Sequence, residues 1–433
     1  MVILLIISPY LPAQTPNTLR WEPILRMFKK NNHKLHVLTS NWSGNPQSNN
    51  SELAHIHRAG HHTLMDAVSN LTGISQHRRN MPDAPVPGTR IGFIRGLAEW
   101  LADKLWRPFY WPDGSTLFLK PGKKLADELI HKLDITHVIS VGLPFTCHLI
   151  GHHIKKKRPD IFWLMDIEDV FSYSDRFRVN NLKLYRKKNI KAEERCFQMA
   201  DRIVLTNETA RDRYIDLFQN FEYKMTVIPP LFERPERCDI TEPEHQPDGN
   251  LHLAYFGSFY EGIRSPEPFL KLLSLMVENN NGESFDLVFH FFGEQTPYSQ
   301  KIFQKFPSLN DCIIQEGFLD RRRLYKALNG MDILLNFSND TDYHTPSKLV
   351  EFLYFQKPVV NIASHESNSS RAFLNGRVEL LNLVLGKNTM TVSAKAFNDF
   401  VRKKRPMSMP DIKNVEAYLS SEIADAYLKL MDD

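Results

Sequence analysis

Two short segments in the second half of this 433-residue chain carry side chains of the types that bind and neutralise anions. In the first, Asn336-Phe337-Ser338 closes an apolar run, and His344-Thr345-Pro346-Ser347-Lys348-Leu349-Val350-Glu351-Phe352-Leu353 opens a helical pattern. Thr345 suits the N-cap, and Pro346 the first helical position, where its missing N–H costs nothing. The spacing predicts that the amides of Ser347 and Lys348 point out of the helix N-terminus, at the positive end of its dipole. Lys348 adds a full charge there. Glu351, one turn later on the same side, is placed to accept hydrogen bonds from ribose hydroxyls beside a bound phosphate. A capped surface helix with a solvated Lys–Glu face fits the same pattern. In the second segment, Leu253-Ala254-Tyr255-Phe256-Gly257-Ser258-Phe259 precedes Gly262 and Arg264. A glycine directly after a buried strand lets a ligand approach the backbone, and Arg264 offers a fork to phosphate. A simple strand-to-helix turn has the same appearance.

These segments sit in an alternation of short apolar runs and helix-length amphipathic stretches, the pattern of parallel sheets built from strand–helix–strand units. In the first half, strands are predicted at 2–7, 34–39, 137–141, 161–165, 202–205 and 225–228, with helices at 19–30, 122–132, 145–156 and 181–199. The stretch 42–87, rich in Asn, Ser, His and Pro, reads as an irregular excursion. After Pro229-Pro230 an aperiodic Pro/Glu/Asp-rich stretch reads as a linker. A second alternation follows, with strands at 251–256, 285–292, 332–337 and 358–362, helices at 266–277, 320–328 and 346–355, and helical spacing again over 415–431. The expected organisation is an N-terminal Rossmann-like domain (1–228), a linker (229–250), a C-terminal Rossmann-like domain (251–410) and a last helix (411–433) packing back toward the first domain. Sheets of this kind bind ligands at their strand carboxyl ends, so two such domains facing a cleft would place the site there.

Composition is that of a soluble globular protein, with 42% apolar and 24% charged residues. The cysteines Cys147, Cys196, Cys238 and Cys312 are scattered with no C-x-x-C pair, which argues against a disulfide framework or zinc site and fits a reducing, cytoplasmic setting. The apolar start Met1-Val2-Ile3-Leu4-Leu5-Ile6-Ile7 has no basic flank and stops at Ser8-Pro9, so it reads as a buried strand and not a signal peptide. The net charge of +4 divides into +10 up to Ile228 and −6 beyond it, so one half is suited to an anionic surface. No zinc finger, RNP-like motif or isolated helix-turn-helix points to nucleic acid.

In order along the chain, these segments resemble the donor-binding domain of retaining GT-B glycosyltransferases, the large family-4-like group marked by an E-x7-E motif. Ser8-Pro9-Tyr10-Leu11-Pro12 and Arg20 resemble that group's first loop and helix. Val141-Gly142-Leu143-Pro144-Phe145, Asp166-Ile167-Glu168-Asp169, Ala200-Asp201-Arg202-Ile203-Val204 and Val227-Ile228-Pro229-Pro230 resemble its later N-domain segments. Phe292-Gly293-Glu294, Gln315-Glu316-Gly317-Phe318 and Lys357-Pro358-Val359-Val360 complete the C-terminal pattern. The resemblance implies a nucleotide-diphosphate-sugar donor, with Arg264 and Lys348 on the diphosphate and Gly257 at close backbone approach. Gly317-Phe318 would meet the base and Glu351 the ribose, with Leu349 in the same motif. It departs from the family at Tyr343, which occupies the position of the first glutamate and leaves Asp342 and His344 as the nearest polar groups to a donor sugar. Ser258 stands where an arginine is common, and Asp166 where some members have a histidine. Gln14, Thr15, Asn17 and Asp169 are the expected acceptor-side residues, with Asp166, Arg264 and Lys348 the expected catalytic ones. The resemblance implies a retaining mechanism without a protein nucleophile, cofactor or metal. Asp166, Glu168 and Asp169 have the spacing of an ordinary polar strand end as well as of a metal cluster.

The stretch 94–112 contains Leu97, Trp100, Leu101, Leu105, Trp106, Phe109, Tyr110 and Trp111 beside Arg95, Lys104 and Arg107. Such interleaving suits a membrane interface, and equally a core helix that buries its tryptophans. With the clusters Lys155-Lys156-Lys157-Arg158 and Arg186-Lys187-Lys188, it suggests peripheral contact with anionic lipid at the inner membrane face and a lipid-linked or cell-surface glycan acceptor. Alternatives are an inverting GT-B transferase, a sugar-nucleotide epimerase, or a non-catalytic sugar-nucleotide-binding protein. A Rossmann dehydrogenase is disfavoured, since no strand is followed by G-x-G-x-x-G.

Overall fold

The computed structural model describes residues 1–42, 52–67, 102–174, 179–235, 248–279, 286–339, 341, 343, 345–366, 368–385, 390–404 and 410–432. The chain forms two compact units, Met1–Pro229 with Ser420–Asp433, and Pro230–Leu419.

The first unit is built on β1 (Val2–Ile6), α1 (Pro16–Lys30), β2 (Lys34–Asn41), β3 (His55–His61), α2 (Thr116–Lys132), β4 (His137–Gly142), α3 (Thr146–Lys157), β5 (Phe162–Ile167), α4 (Leu182–Met199), β6 (Arg202–Leu205), α5 (Glu208–Leu217) and β7 (Met225–Val227). Its seven strands are all parallel, in the order β3-β2-β1-β4-β5-β6-β7. The unbroken apolar run of β1 places it centrally, where helices cover both faces of a parallel sheet. The neighbours of β1 are β2 and β4, so the chain reverses its direction of travel across the sheet at that point. This is the switch point where such sheets open a crevice at their carboxyl ends.

Part of the expected irregular excursion is regular. His55-Ile56-His57-Arg58-Ala59-Gly60-His61 forms the edge strand β3, paired among the described residues to β2 alone. An edge strand is held by backbone bonds on one side and needs no apolar alternation, which is why composition alone conceals it. The rest of that excursion, at 43–51 and 68–87, lies outside the described residues.

The second unit contains β8 (Leu251–Phe256), α6 (Glu267–Asn279), β9 (Leu287–Phe292), α7 (Pro297–Phe303), β10 (Ile313–Gly317), α8 (Arg321–Asn329), β11 (Ile333–Phe337), α9 (Leu349–Phe355), β12 (Val359–Ala363), α10 (Ser369–Leu374), β13 (Leu380–Val384) and α11 (Met390–Val401). Its six parallel strands run β10-β9-β8-β11-β12-β13, with the switch point between β8 and β11. Side chains alternate along β8. Leu253 and Tyr255 enter one core with Phe289 and Phe337, while Ala254 and Phe256 enter the opposite core with Phe352 and Phe355. Each fully buried aromatic or aliphatic side chain there contributes roughly 1.5–3 kcal/mol.

The helical spacing over 415–431 is interrupted. A 3₁₀ segment, Ile412–Tyr418, precedes α12 (Ser420–Asp432), with Leu419 extended between them. Phe232 pairs with Leu419 in a parallel bridge and donates its N–H to the Tyr418 carbonyl at 2.7 Å, which draws the backbone out of the helix. Helix α12 belongs to the first unit. Tyr427 lies 5.0 Å from the ring of Trp21 and donates its hydroxyl to Asp166 at 2.9 Å.

Candidate active site

The polar groups of the second unit converge over the carboxyl ends of β8 and β11. Tyr255, buried near the end of β8, is the centre. Its hydroxyl accepts from Arg264 Nη1 at 2.9 Å and donates to the Ser258 carbonyl at 3.4 Å, and its ring face lies 3.9 Å from the ammonium of Lys348. Lys348 also donates to the carbonyl of Phe256 at 3.0 Å. Arg264 reaches Asn339, just past β11, through Nε at 3.2 Å and Nη2 at 2.7 Å. Tyr260 and Arg264 close the loop after β8 with a pair of backbone bonds of 2.9 and 3.1 Å. That closure fixes the direction in which the guanidinium leaves the loop. Burial first, and then the neighbouring Arg264, hold the Lys348 ammonium well below the usual lysine pKa, with Glu351 opposing the shift. Two cations held this close in a half-buried place repel each other, and a polyanion between them would relieve that repulsion.

Two glycines make the crowding possible. Gly257 has φ +128°, and a Cβ there would lie 3.1 Å from the Tyr255 hydroxyl. A Cβ on Gly293 would lie 2.4 Å from the Gly257 carbonyl oxygen, so the turns after β8 and β9 touch backbone to backbone. No role for Gly293, Tyr255 or Asn339 is legible in the sequence. The glycine after the apolar run of β9 was the signal available for the first, and the other two had none.

The approach to α9 differs from the expected cap. The helix begins at Leu349, with Lys348 at the cap position and no side-chain cap. Thr345 is therefore not the N-cap, and Pro346 is not the first helical residue. Leu349, Val350 and Glu351 donate to the carbonyls of Pro346, Ser347 and Lys348 at 3.2, 3.3 and 3.1 Å. These i→i−3 bonds wind the chain more tightly than an α-helix, and Lys348 is drawn to the Phe256 carbonyl. The amides of Ser347 and Lys348 donate to no described residue. With seven residues, α9 has little dipole to offer, and the charges of Arg264 and Lys348 are the larger source of positive potential.

Glu351 accepts from the Tyr325 hydroxyl at 3.5 Å and lies 3.9 Å from Arg321, which pairs in turn with Glu233 at 2.9 Å. Burial raises its pKa, and Arg321 opposes the rise. Leu349 is buried and anchors the turn, Ser347 is exposed, and Tyr343 is buried. Asp342 and His344 lie outside the described residues. Gly317 ends β10 with φ +76°, and the Phe318 ring beside it is 82% exposed.

In the first unit, Thr15 caps α1 by accepting from the Thr18 amide at 3.2 Å, and Asn17 donates to the Leu143 carbonyl at 2.9 Å. Gln14 is exposed and Asp169 half-buried, its amide 3.4 Å from the Gly142 carbonyl. These residues line the ends of β1, β4 and β5. Asp166 is different, being fully buried and accepting from Trp21 Nε1 at 3.0 Å and from Tyr427 at 2.9 Å. Arg20 lies 3.2 Å from Glu168 and also donates to the carbonyls of Pro229 at 2.8 Å and Ile228 at 3.2 Å. Burial pushes the Glu168 carboxyl up to about 8. Among the described residues no three His, Cys, Asp or Glu side chains gather as a metal site would.

Two doubly wound parallel sheets, each with its first strand between the second and fourth, define the GT-B architecture. Solved structures share it over their whole length. Trehalose-6-phosphate synthase OtsA matches with a TM-score of 0.64 at 10% identity, covering 100% of this chain and 99% of that one. Sucrose-phosphate synthase from Thermosynechococcus elongatus matches at 0.62 and 11%, covering 99% and 98%. Anabaena Alr3699/HepE, in complex with UDP and glucose, matches at 0.61 and 9%, covering 100% of both chains. No protein-family model matches the chain, and no curated protein sequence matches it significantly. Identities this low establish the fold and leave the activity to be argued from the site.

Proposed function

We propose that this protein is a retaining glycosyltransferase that moves a sugar from a nucleotide-diphosphate donor to a hydroxyl of a lipid-linked or cell-surface glycan. The observation that carries this reading is the convergence of Arg264 and Lys348 around Tyr255 at the switch point of the second sheet, with Gly257 leaving the backbone open beside them. Neighbours of the same fold have been solved with UDP and with UDP-glucose bound, which fits a donor of this class.

In this mechanism the bond between the anomeric carbon and the diphosphate oxygen breaks, and its electron pair leaves with the diphosphate. Arg264 and Lys348 neutralise the charge that grows on that oxygen, an effect worth most when the groups are already in place. The acceptor hydroxyl attacks from the same face and loses its proton to the departing phosphate, so no protein nucleophile takes part. The side chains do the work a metal ion does elsewhere. Ser258, Thr345, Pro346, Ser347 and Leu349 shape the diphosphate cradle, and Asp342, Tyr343 and His344 are assigned to the donor sugar. Glu351, held by Arg321 and Tyr325, takes the ribose, and Gly317 with Phe318 the base. Gln14, Thr15, Asn17 and Asp169 are assigned to the acceptor. Asp166, locked by Trp21 and Tyr427, acts by holding α12 and Arg20 in place. Peripheral contact with an anionic membrane is where a lipid-linked acceptor would be met.

The test is a panel of nucleotide sugars screened by thermal shift, followed by calorimetry of the Arg264→Ala variant with the best nucleoside diphosphate. Losing a charge-assisted contact should cost about 1.5–3 kcal/mol of binding. Unchanged affinity would remove the assignment, and the anomeric configuration of the product, read by NMR, decides between retention and inversion.

A further inference from the structure

The two basic clusters of the first unit are in different states. In the cluster at 155–158, Lys155 pairs with Asp201 at 2.7 Å, Lys157 with Asp127 at 2.6 Å and Arg158 with Asp160 at 2.6 Å. Its charge is largely answered within the protein. Helix α4 presents the opposite case. Lys183, Arg186, Lys187, Lys188 and Lys191 are exposed, residues 182–192 contain no carboxylate, and none of the five pairs with an acid among the described residues. Leu184, Lys188, Lys191 and Arg195 recur at helical spacing and so share one face of α4.

The aromatic stretch lies beside that face, tied to the neighbouring stripe of Asn181, Tyr185 and Asn189. Ala102–Trp106 forms a π turn, and the following chain is tied to α4. Tyr185 donates to the Phe109 carbonyl at 2.8 Å, Asn181 to the Pro108 carbonyl at 3.2 Å, and Trp111 Nε1 to Asn189 at 3.0 Å. Trp111 is therefore a structural ring, covered by the Lys188 ammonium at 3.9 Å, and it floors a groove of about 340 Å³ walled by Lys187, Lys191 and Arg195. The outward apolar groups are others: Leu105 is 64%, Phe109 65% and Leu184 57% exposed.

We infer that this face of the first unit, α4 with the 102–111 segment laid on it, is the surface by which the protein docks on an anionic phospholipid bilayer. Unpaired cations meet the headgroups, while Leu105, Phe109 and Leu184 enter the boundary of the acyl region. The apolar groups decide between anionic partners. Of the three only Phe109 can stack on a base, so a nucleic acid gains little from Leu105 and Leu184, whereas a bilayer buries all three. The inference deepens the membrane part of the functional proposal by naming the surface. Vesicle binding needs no donor and no turnover, so its failure and a failure of the transferase reading are separate results.

The test is co-sedimentation of the full chain with vesicles of phosphatidylcholine alone or with one third phosphatidylglycerol, at low and high salt. The wild type should pellet with the anionic vesicles only, and a salt-resistant fraction should remain. Charge reversal in Lys188→Glu/Lys191→Glu should lower the partition coefficient by at least about 30-fold, since removing two cations alone costs about fivefold each. Leu105→Ser/Phe109→Ser should abolish the salt-resistant fraction, and Lys157→Gln in the neutralised cluster should change nothing. Melting curves of each variant establish that it is folded. Wild-type protein left in the supernatant at low salt overturns the inference, as does wild-type binding by a folded Lys188→Glu/Lys191→Glu variant. So does preferential capture by a single-stranded DNA oligomer, which would make nucleic acid the partner.

Discussion

Replacing Lys348 by methionine separates the two things its ammonium does. In the free chain that group rests against the Phe256 carbonyl at 3.0 Å and the Tyr255 ring at 3.9 Å, and it forms no ion pair among the described residues. Burial and the neighbouring Arg264 both disfavour its charge. Methionine keeps the packing of the stem and removes the charge. Losing the hydrogen bond and the cation–π contact with Tyr255 costs about 1 kcal/mol each, while the effective penalty for a poorly solvated ion is several. A net gain of about 1 kcal/mol in this unit raises Tm by about 2–4 °C. Binding moves the other way. The diphosphate loses a charge-assisted partner worth about 1.5–3 kcal/mol, or roughly 10- to 150-fold in Kd. Differential scanning fluorimetry and calorimetry on one preparation at pH 7 measure both. A variant that is less stable and binds the nucleoside diphosphate as tightly as wild type would refute the reasoning, because Lys348 would then be a structural cation.

Two further outcomes follow from the same geometry. With Arg264 and Lys348 carrying the leaving-group charge, turnover should persist in EDTA; loss of activity restored by Mg²⁺ or Mn²⁺ would show that a metal carries it instead. Glu193 is buried, accepts from Tyr214 at 2.7 Å and the Ser172 amide at 3.3 Å, and has its carboxyl pushed by burial from 4.5 up to about 7. The folded state holds this proton more tightly than the unfolded one, so the stabilisation is complete below about pH 4.5 and is lost as pH rises to about 7. The loss is on the order of 3 kcal/mol. Glu193→Gln should flatten that slope in urea titrations across this range, and an unchanged slope would place the titration elsewhere.

The sequence by itself determined the inner strands of the two parallel sheets, while the edge strands β3, β10 and β13 escaped it. Strands such as Arg202–Leu205 and Leu251–Phe256 agree with the apolar runs residue for residue, because a central parallel strand is buried on both faces and its pattern is local. Elements whose support comes from elsewhere were not legible. The edge strand β3 depends on β2, and the break at Leu419 depends on Phe232, far away in sequence. At the candidate site, residue type alone singles out Gly257, Arg264 and Lys348. Only the tertiary structure decided that Lys348 reaches a carbonyl 92 residues away, and Arg264 an asparagine 75 residues away, around one tyrosine. It also decided that Asp166 is buried between Trp21 and Tyr427, and that among the described residues Lys155, Lys157 and Arg158 are ion-paired while the cations at 183–191 of α4 are not. The physical reason is common to all of these. Propensity and periodicity act over a few residues, whereas burial, ion pairing and the competition for a carbonyl depend on which distant groups the fold brings within about 3–4 Å.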